Sequence, residues 1–390
     1  MANTTSPYDP IFYAQEGLIQ LEKALGMAGR VHRGYDKNPQ TRGSVIQISQ
    51  PGTFTAQDAP SSAQDLNPTS LQITLNQWKE VKFALTDKEL AYTGQQIVDD
   101  HIRPAAYALA DKIDQALAAL YKLVPYYESA TIGSVATSDL INARKVLFNN
   151  RAPVEDVANM HGMVDGNFEA ELLALAAFTQ YNTGGDRATE SLMRGAIGNG
   201  PRFGINWFAN QNTPTHTSGT AADAAGAVNN GAGYAAGTTT INIDGVTAAG
   251  TVKEGDILVV TGHNTQYAIT ADFTASSGAI TGLTISPGLE AAVVDDQVVT
   301  IVFGAGSGGS SKGQQLVFHR NAFALAMAPL PTLARELGAR VESVVDPRTG
   351  LALRARMFYV GDTSKVYVAL DVLYGVKLLD PKLACRILYL

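Results

Sequence analysis

Cysteine is almost absent from this chain, and its scarcity narrows the possible chemistry. Cys385 is the only cysteine among 390 residues, so one chain cannot form an internal disulfide, and the protein fits a reducing compartment such as the cytoplasm. The six histidines show no H-x-x-x-H spacing, and a single cysteine cannot build a zinc knuckle. We therefore predict neither a metal site nor a cofactor.

Long apolar runs are also missing. The longest is LLALAAF at residues 172–178, far short of the ~20 residues that a membrane-spanning helix needs. The first ten residues, MANTTSPYDP, have neither a basic start nor an apolar stretch, so we predict no signal peptide and no membrane partner.

Positive charge is scarce in the middle of the chain. Residues 213–311 hold one basic residue, Lys253, and eight acidic ones, an excess of −7 that equals the net charge of the whole protein. Such asymmetry is typical of a segment with its own surroundings. Nowhere does the chain show the concentrated basic face of a nucleic-acid-binding protein.

One glycine motif raises the possibility of a nucleotide-binding enzyme. Gly304, Gly306 and Gly309 form a G-x-G-x-x-G after a strand-like run. A dinucleotide turn needs a helix next and an acidic residue about 20 positions further on. Here SSKGQQ and strand-like LVFH follow, and MAPLPT, near the required position, holds no carboxylate. We predict a hinge and a protein that is not an enzyme, with a nucleotide-binding enzyme as an alternative.

An amphipathic helix is predicted near the N-terminus, over residues 11–28. Ile11, Leu18, Leu21 and Leu25 recur on one face at helical spacing. Two interpretations stay open: the helix packs on its own core, or it is an arm that docks on a neighbouring subunit. In the second case these four side chains are candidates for an assembly interface.

Further elements follow from residue periodicity. SVIQIS (44–49) and LQITLNQWKEVKF (71–83) read as strands of an extended hairpin around a long loop at 51–70. TDKE at 86–89 is a capping box, and the helix it opens runs toward Tyr121, with Pro104 either kinking it or starting a second helix. Helices at 137–150 and 168–178 flank a strand-like DVANMHGMV.

Short alternating runs then dominate. Residues 214–239 are rich in Ala, Gly, Thr and Asn and read as a linker, and five strand-like runs fill residues 240–303. We predict a small all-β barrel or sandwich that is inserted between two flexible joints. A surface-binding module that captures Ca²⁺ or sugar with these carboxylates is a further alternative, although they lack the D-x-D-x-D spacing of a calcium loop.

The C-terminal part is predicted to be a β-hairpin and a further strand. ARVESVV and LALRARMFYV are joined by the turn DPRTG, and VYVALDVLYGVKLL follows. Arg354 and Arg356 share one face of the second strand, where they could form subunit contacts, bind an anion or face solvent.

These residues, in this order, resemble a tailed-bacteriophage major capsid (coat) protein of the P-twenty-two-like branch, which has an inserted β-domain. MAGRVHRGYD and the loop after it look like the N-arm and E-loop of that family. FALTDKEL through IRPAAYALADKIDQAL is similar to its spine helix, and GDILVVTG to ISPG is similar to its insertion domain. The most specific stretch runs from VFHRNAFALAMAPL through VVDPRTGLALRARMFYVGD to LDVLYGVKLLDPKLACRI.

The resemblance implies an α+β fold of the Hong Kong ninety-seven type, with an inserted small all-β domain. The expected parts are an N-terminal arm helix (1–30), an E-loop hairpin (31–83), a P domain with spine helix and part of the A domain (84–212), the inserted domain (213–315), and a return segment that completes the A and P domains (316–390).

It also implies a function and partners. Copies would self-assemble as hexamers and pentamers into an icosahedral shell, formed in the bacterial cytoplasm, that encloses double-stranded DNA without sequence-specific binding. Weak charge outside the insertion suits such a container, because a strongly basic wall would hold the DNA phosphates. We expect no N-terminal scaffolding segment before the arm, and therefore a separate scaffolding protein, together with a portal.

Overall fold

The fold is taken from a computed structural model that describes residues 10–33, 45–50, 56, 58–59, 63, 69–86, 101–197, 200–221, 226–302, 311–332, 340–345, 351–363 and 365–389. The chain divides into two compact units. The first comprises residues 1–117 and 323–379, and the second comprises residues 118–322 and 380–390. Both contain helices and sheets, so the predicted α+β class is confirmed.

The helices are α1 (Pro10–Ala24), α2 (Arg103–Ala118), α3 (Thr137–Asn149), α4 (Gly166–Ala174), α5 (Ala176–Thr179), α6 (Tyr181–Gly184) and α7 (Asp186–Arg194). The strands are β1 (Val45–Gln50), β2 (Thr69–Thr74), β3 (Gln77–Thr86), β4 (Tyr127–Ala130), β5 (Met160–Val164), β6 (Asn206–Ala209), β7 (Thr215–Thr217), β8 (Gly226–Val228), β9 (Thr240–Asp244), β10 (Thr251–Val252), β11 (Ile257–Val260), β12 (Gln266–Ile269), β13 (Phe273–Thr274), β14 (Ile280–Ser286), β15 (Val298–Val302), β16 (Ser311–His319), β17 (Phe323–Ala328), β18 (Arg340–Val345), β19 (Ala352–Val360), β20 (Lys365–Leu378) and β21 (Ala384–Tyr389).

The first unit is built on an antiparallel sheet of order β17-β20-β19-β18, with β3 also paired to β20. The long strand β20 organises it, because Lys365–Tyr374 pairs with all of β3 while its C-terminal part pairs with β17. Leu353 and Leu370 face one side of the sheet, and Arg354 and Asp371 face the other, as the strand alternation requires.

The predicted hairpin is present in part. Strands β1 and β2 pair in antiparallel register from Val45–Thr74 to Gln50–Thr69. The predicted strand at 71–83 is two strands, since β2 ends at Thr74 and β3 begins at Gln77. Most of the loop at 51–70 lies outside the described residues.

Pro104 lies in the first turn of α2, where a missing N–H costs nothing. The α-helix begins at Arg103 directly after a π-helical turn at His101 and Ile102, and residues 87–100 lie outside the described residues, so the choice between a kink and a second helix stays a prediction. The apolar side chains Leu109, Ile113 and Leu117 of α2 are buried. Of the capping box only Thr86 is described, and it ends β3.

The second unit contains a sheet of order β4-β21-β16-β5-β6, with β7 also paired to β16. Helices α3 and α4 pack on it, and their inner residues share a core with the sheet, which includes Leu140, Leu147, Phe168, Trp207, Val317 and Ile387. The predicted helix at 168–178 is interrupted, because Leu175 takes an extended conformation with ψ 137° between α4 and α5.

The same unit contains a closed barrel of order β11-β12-β14-β9-β8-β15. All five runs predicted between residues 240 and 303 form strands, and they enclose a core that includes Ile243, Leu258, Tyr267, Leu283 and Ile301. A closed barrel is one of the two architectures that the sequence predicted. Its status as an independent inserted domain stays a prediction.

Strands occupy both flanks of the barrel, while the bounds 213–315 of the inserted domain stay a prediction. The supposed linker at 214–239 contains β7, which pairs with β16, and β8, which closes the barrel. Each is three residues long, so neither shows an alternating pattern, and pairing with longer strands supplies the order instead. Residues 311–315, inside the predicted insertion, belong to β16 of the six-stranded sheet.

Candidate assembly surfaces

The predicted N-terminal arm helix packs closely against its own unit. Its inner face carries Ala14, Leu18 and Leu21, which are all buried. Gly17 lies on the same face, and a Cβ atom there would meet Leu353 Cδ2 at 2.8 Å. The helix thus lies on the apolar side of the sheet, as the first of the two interpretations of this helix expects.

A buried carboxylate fixes the chain beyond α1. Asp114 of α2 accepts hydrogen bonds from the backbone N–H groups of Gly26 (2.7 Å), Met27 (3.1 Å) and Ala28 (2.9 Å). Three charge-assisted bonds to one carboxylate form a strong and directional clamp. The segment after the helix is therefore held as firmly as the helix itself.

The four candidate interface residues of α1 and the turn after it differ in burial. Leu18 and Leu21 are buried within the unit, and Leu25 is half-buried. The side chain of Ile11 lies outside the described residues. Among the side chains of this helix that the structure describes, the apolar side chain of Ile19 is exposed. A role of these residues in assembly stays a prediction.

Arg354 and Arg356 lie together on the polar face of the sheet, and Arg354 is not solvated. Its Nε and Nη2 donate to the two carboxylate oxygens of Asp371 at 2.9 and 2.5 Å, and its Nη1 donates to the Pro331 carbonyl at 2.8 Å. Arg354 and Asp371 are direct cross-strand partners, and both are buried. The interpretation of this face as simply solvated is wrong at Arg354.

Side chains of neighbouring strands extend the Arg354–Asp371 pair into a set of charged residues, Arg354, Asp371, Arg356 and Glu80, which we call the ionic row. Arg356 donates to Glu80 at 2.7 Å and lies 3.4 Å from Asp371, while Trp78 Nε1 donates to Asp371 at 3.1 Å. Every carboxylate oxygen of Asp371 therefore has a donor. Two carboxylates thus accompany the two arginines, while Arg356 Nε has no hydrogen-bond partner within the described residues, and a role in subunit contacts or anion binding stays a prediction.

A second buried arginine, Arg386, lies in the second unit and was not predicted from sequence. It is fully buried on β21, its Nη1 donates to the Gly255 carbonyl at 2.9 Å, and its guanidinium lies 5.8 Å from the ring centre of Tyr121. Within the described part of the chain, its Nε and Nη2 have no hydrogen-bond partner. Burial lowers the pKa of Arg386 to about 10, against smaller contributions from Tyr121 and Asp256.

Next to Arg386 runs a buried polar chain. The Tyr121 hydroxyl lies 2.9 Å from His216 Nδ1, and His216 Nε2 lies 2.8 Å from the Asp256 carboxylate. A neutral imidazole satisfies both bonds when Nε2 carries the proton. Asp256 also accepts from the backbone N–H groups of Lys253 and Gly219 at 2.8 and 3.2 Å. The chain joins a barrel loop to β7 and resembles a catalytic triad only in its residue types, because it is buried.

Three acidic side chains of the barrel region, Asp272, Glu254 and Glu290, are engaged within the chain. Asp272 pairs with Lys253 at 2.7 Å, and this hydrogen bond lowers its pKa. Glu254 pairs with Lys122, and Glu290 accepts from the N–H groups of Asn264 and Thr265. Across the ranges that the structure describes, no three His, Cys, Asp or Glu side chains form a group that could hold a metal ion.

The glycine motif stands in a strand-to-strand connection. Residues 303–310 lie outside the described residues, but β15 ends at Val302 and β16 begins at Ser311. No helix follows the glycines to present its amides to a pyrophosphate. The described helices also include none that is long and apolar enough to cross a membrane.

Comparison with known proteins gives one family. Residues 68–237 match the family model of phage capsid proteins. This segment covers β3, the helices α2 to α7 and the first strands of the second unit. A comparison with curated proteins finds no match.

Several solved structures are similar to this chain. A structure from Mycobacterium phage Che8 is 16% identical, with 93% of this chain and 90% of that chain covered and a TM-score of 0.49. The capsid structure of the cyanophage P-SCSP1u is 13% identical, with 93% and 85% covered and a TM-score of 0.46. A virus-like particle from Pyrococcus furiosus is 8% identical, with 96% and 97% covered and a TM-score of 0.39.

The family match confirms the resemblance that the sequence predicted. The part of the chain that the match covers, residues 68–237, is similar to phage capsid proteins. The predicted function is thereby confirmed at the level of a phage capsid protein, and the way in which subunits assemble is taken up below.

Proposed function

We propose that this chain is the major capsid protein of a tailed phage and that its copies form hexamers and pentamers, which close into an icosahedral shell of the Hong Kong ninety-seven type. The match of residues 68–237 to phage capsid proteins carries this proposal. In this role the protein is structural and not an enzyme. It resides in the virion after assembly in the host cytoplasm.

The proposed parts follow the chain. Residues 1–30 form the N-terminal arm and 31–83 the E-loop. Residues 84–212 form the P domain and part of the A domain, 213–315 the inserted domain, and 316–390 the return segment. The β1–β2 hairpin supports the E-loop assignment. The closed barrel with its own apolar core supports the inserted domain.

The proposed partners are other copies of the chain, a separate scaffolding protein and a portal. The shell encloses double-stranded DNA without reading its sequence. The weak net charge outside residues 213–311 supports this, because packaged DNA would bind strongly to a basic wall and lose mobility.

The test is assembly of the purified full-length chain. The protein is concentrated from micromolar to millimolar levels and examined by sedimentation velocity and negative-stain electron microscopy. We expect rings of five or six subunits, and shells or tubes at higher concentration. A species that stays monomeric throughout, both alone and with the scaffolding protein of the same phage, would refute the proposal.

A further inference from the structure

One helix of the second unit exposes an apolar groove. Helix α3 buries Leu140, Ala143 and Leu147 in the core, while Ile141 and Phe148 are 50% and 63% exposed on its outer side. These two side chains line a cavity of about 520 Å³ together with Arg144, Lys145, Phe203 and Gly204. We call this cavity the α3 groove. Contiguous exposed apolar surface of this kind marks an interaction site.

The rim of the α3 groove is basic. Lys145 lies between Ile141 and Phe148 on the exposed side of α3, and in the described part of the chain it forms no ion pair within 4 Å. Arg144 pairs at 3.0 Å with the side chain of Glu155, which is almost fully exposed, and also donates to the Val154 carbonyl at 3.5 Å. A surface pair of this kind stabilises little and can be exchanged for another carboxylate. The groove thus fits an apolar side chain that is accompanied by acidic groups.

Helix α7 of the same chain has this combination on a protruding surface. It is anchored by Ala188 and Ser191, which are buried, and Arg202 donates to the Ser191 hydroxyl at 3.3 Å. Its outer side exposes Leu192 and Met193, and Met193 is 82% exposed. Together the two side chains form an exposed apolar patch, which is the kind of surface that marks an interaction site.

The two helices also match in spacing and charge. On α7, Glu190 lies three residues before Met193, and on α3, Lys145 lies three residues before Phe148. One turn earlier, Asp186 lies four residues before Glu190, and Ile141 lies four residues before Lys145. At 1.5 Å rise per residue, a parallel alignment brings Met193 to Phe148 and Glu190 to Lys145 in one register. In that register Asp186 lies opposite Ile141, so the charge match is that of Glu190 with Lys145. Glu190 is bound only by Arg194 one turn away, at 3.2 Å, a pair that is easily exchanged.

We propose that the α3 groove binds helix α7 of a second copy of this chain. The inference rests on the proposed capsid function, since a shell of identical copies presents both surfaces to every neighbour. Met193 fills the apolar groove beside Phe148, and Glu190 pairs with Lys145 at its rim. The contact joins two different surfaces, so it can repeat from subunit to subunit around a ring.

Charge reversal tests the pairing. Lys145→Glu and Glu190→Lys each place like charges across the contact, and each should raise the protein concentration needed for assembly about tenfold or more. The double variant restores opposite charges and should assemble within about threefold of wild type. Circular dichroism and thermal unfolding confirm that each variant is folded. A double variant as defective as the single ones would overturn the pairing.

Disulfide trapping tests the geometry. The native Cys385 is fully buried, so introduced cysteines are the accessible thiols. Phe148→Cys and Met193→Cys single variants are co-assembled and oxidised, and we expect a crosslinked dimer only in the mixture. A mixture of Val294→Cys, on the barrel surface, with Met193→Cys is the matched control and should stay uncrosslinked.

Each other outcome is informative. A crosslink in Met193→Cys alone would mean that α7 contacts α7, and a crosslink from Phe148→Cys to a scaffolding or decoration protein would give the groove another occupant. Either result overturns the inference. If wild type forms particles and the mixture shows no crosslink, the inference fails while the proposed function stands. If wild type stays monomeric both alone and with the scaffolding protein of the same phage, the proposed function fails.

Discussion

Two buried arginines in this protein are neutralised in different ways. Arg354 lies on a sheet of the first unit, with both oxygens of Asp371 and the Pro331 carbonyl as acceptors. Arg386 lies on a sheet of the second unit, where the Gly255 carbonyl and the face of Tyr121 are its nearest partners. The charge of Arg354 is paired with a carboxylate. The charge of Arg386 is stabilised mainly by the dipole of a carbonyl group and by an aromatic ring.

The contrast shows that burial of a charge does not by itself measure its contribution to stability. Breaking an ion pair leaves an uncompensated buried charge, whereas removing a charge that has no direct carboxylate partner also removes its desolvation cost. The same substitution should therefore have very different effects at the two positions. All measurements below use unassembled subunits.

The largest effect is expected for Arg354→Met. It leaves the buried Asp371 with Trp78 and Arg356 as its remaining donors, and it should lower the free energy of unfolding by about 3–5 kcal/mol. Urea denaturation measures it. The double variant Arg354→Met with Asp371→Leu is the control and should recover most of the loss. Equal losses in the single and double variants would show that the ion pair is not the cause.

A pH effect of intermediate size is expected at Tyr121, beside Arg386. Burial raises the pKa of Tyr121 to about 12, although Arg386 opposes this. Between pH 10 and 12 the unfolded chain releases this proton while the folded chain keeps it, so stability that is fully present below pH 10 is lost as pH rises. The loss amounts to about 2–3 kcal/mol. In Tyr121→Phe, the decline in stability from pH 9 to 12 should be smaller by this amount, and an unchanged decline would contradict the assignment.

A smaller effect is expected for Arg386→Met. Met has a similar length, leaves no carboxylate that was directly paired, and removes a charge whose pKa burial lowers. The free energy of unfolding should change by less than about 2 kcal/mol in either direction. Urea denaturation of Arg386→Met and Arg354→Met under the same conditions compares the two positions directly. Equal losses of unfolding free energy at both arginines would contradict the contrast between them.

The smallest effect is expected at the margin of the ionic row. Glu80 binds Arg356 at 2.7 Å, but its side chain is 36% exposed. Glu80→Gln should cost less than about 1 kcal/mol and should become neutral in 0.5 M salt, where Debye screening is strong. A larger loss of unfolding free energy that does not depend on salt would show that the Glu80–Arg356 pair behaves as a buried ion pair.

The sequence predicted the elements of both units better than their polar interiors. Alternation located β9, β11, β14 and β19, and helical spacing located α1 and α3, because each has one apolar face. It also placed Arg354 and Arg356 on one face. It could not show that Asp371, seventeen positions away, lies directly opposite Arg354, since strand register depends on the whole sheet.

Arg386 marks the limit of such pattern analysis. Every residue of β21 is buried, because the strand lies between β4 and β16 with both faces covered. When both faces of a strand are covered, the alternation of apolar and polar residues cannot show which face is exposed to solvent. The same applies to β7 and β8, where three residues are too few for a pattern. A local sign of the buried charges was present in the sequence. At Asp371 and at Arg386, a single charged residue interrupts an apolar run.

The β3–β20 ladder has a mechanical consequence. Ten consecutive residues of β3, Gln77–Thr86, pair with β20, and β2 ends only two residues before β3 begins. Tension that enters through the β1–β2 hairpin runs along β3 and loads this ladder in shear. All ten pairs then resist together, whereas a pull across the strands would open them one by one. The joint at the base of the hairpin is therefore built to carry a lengthwise load.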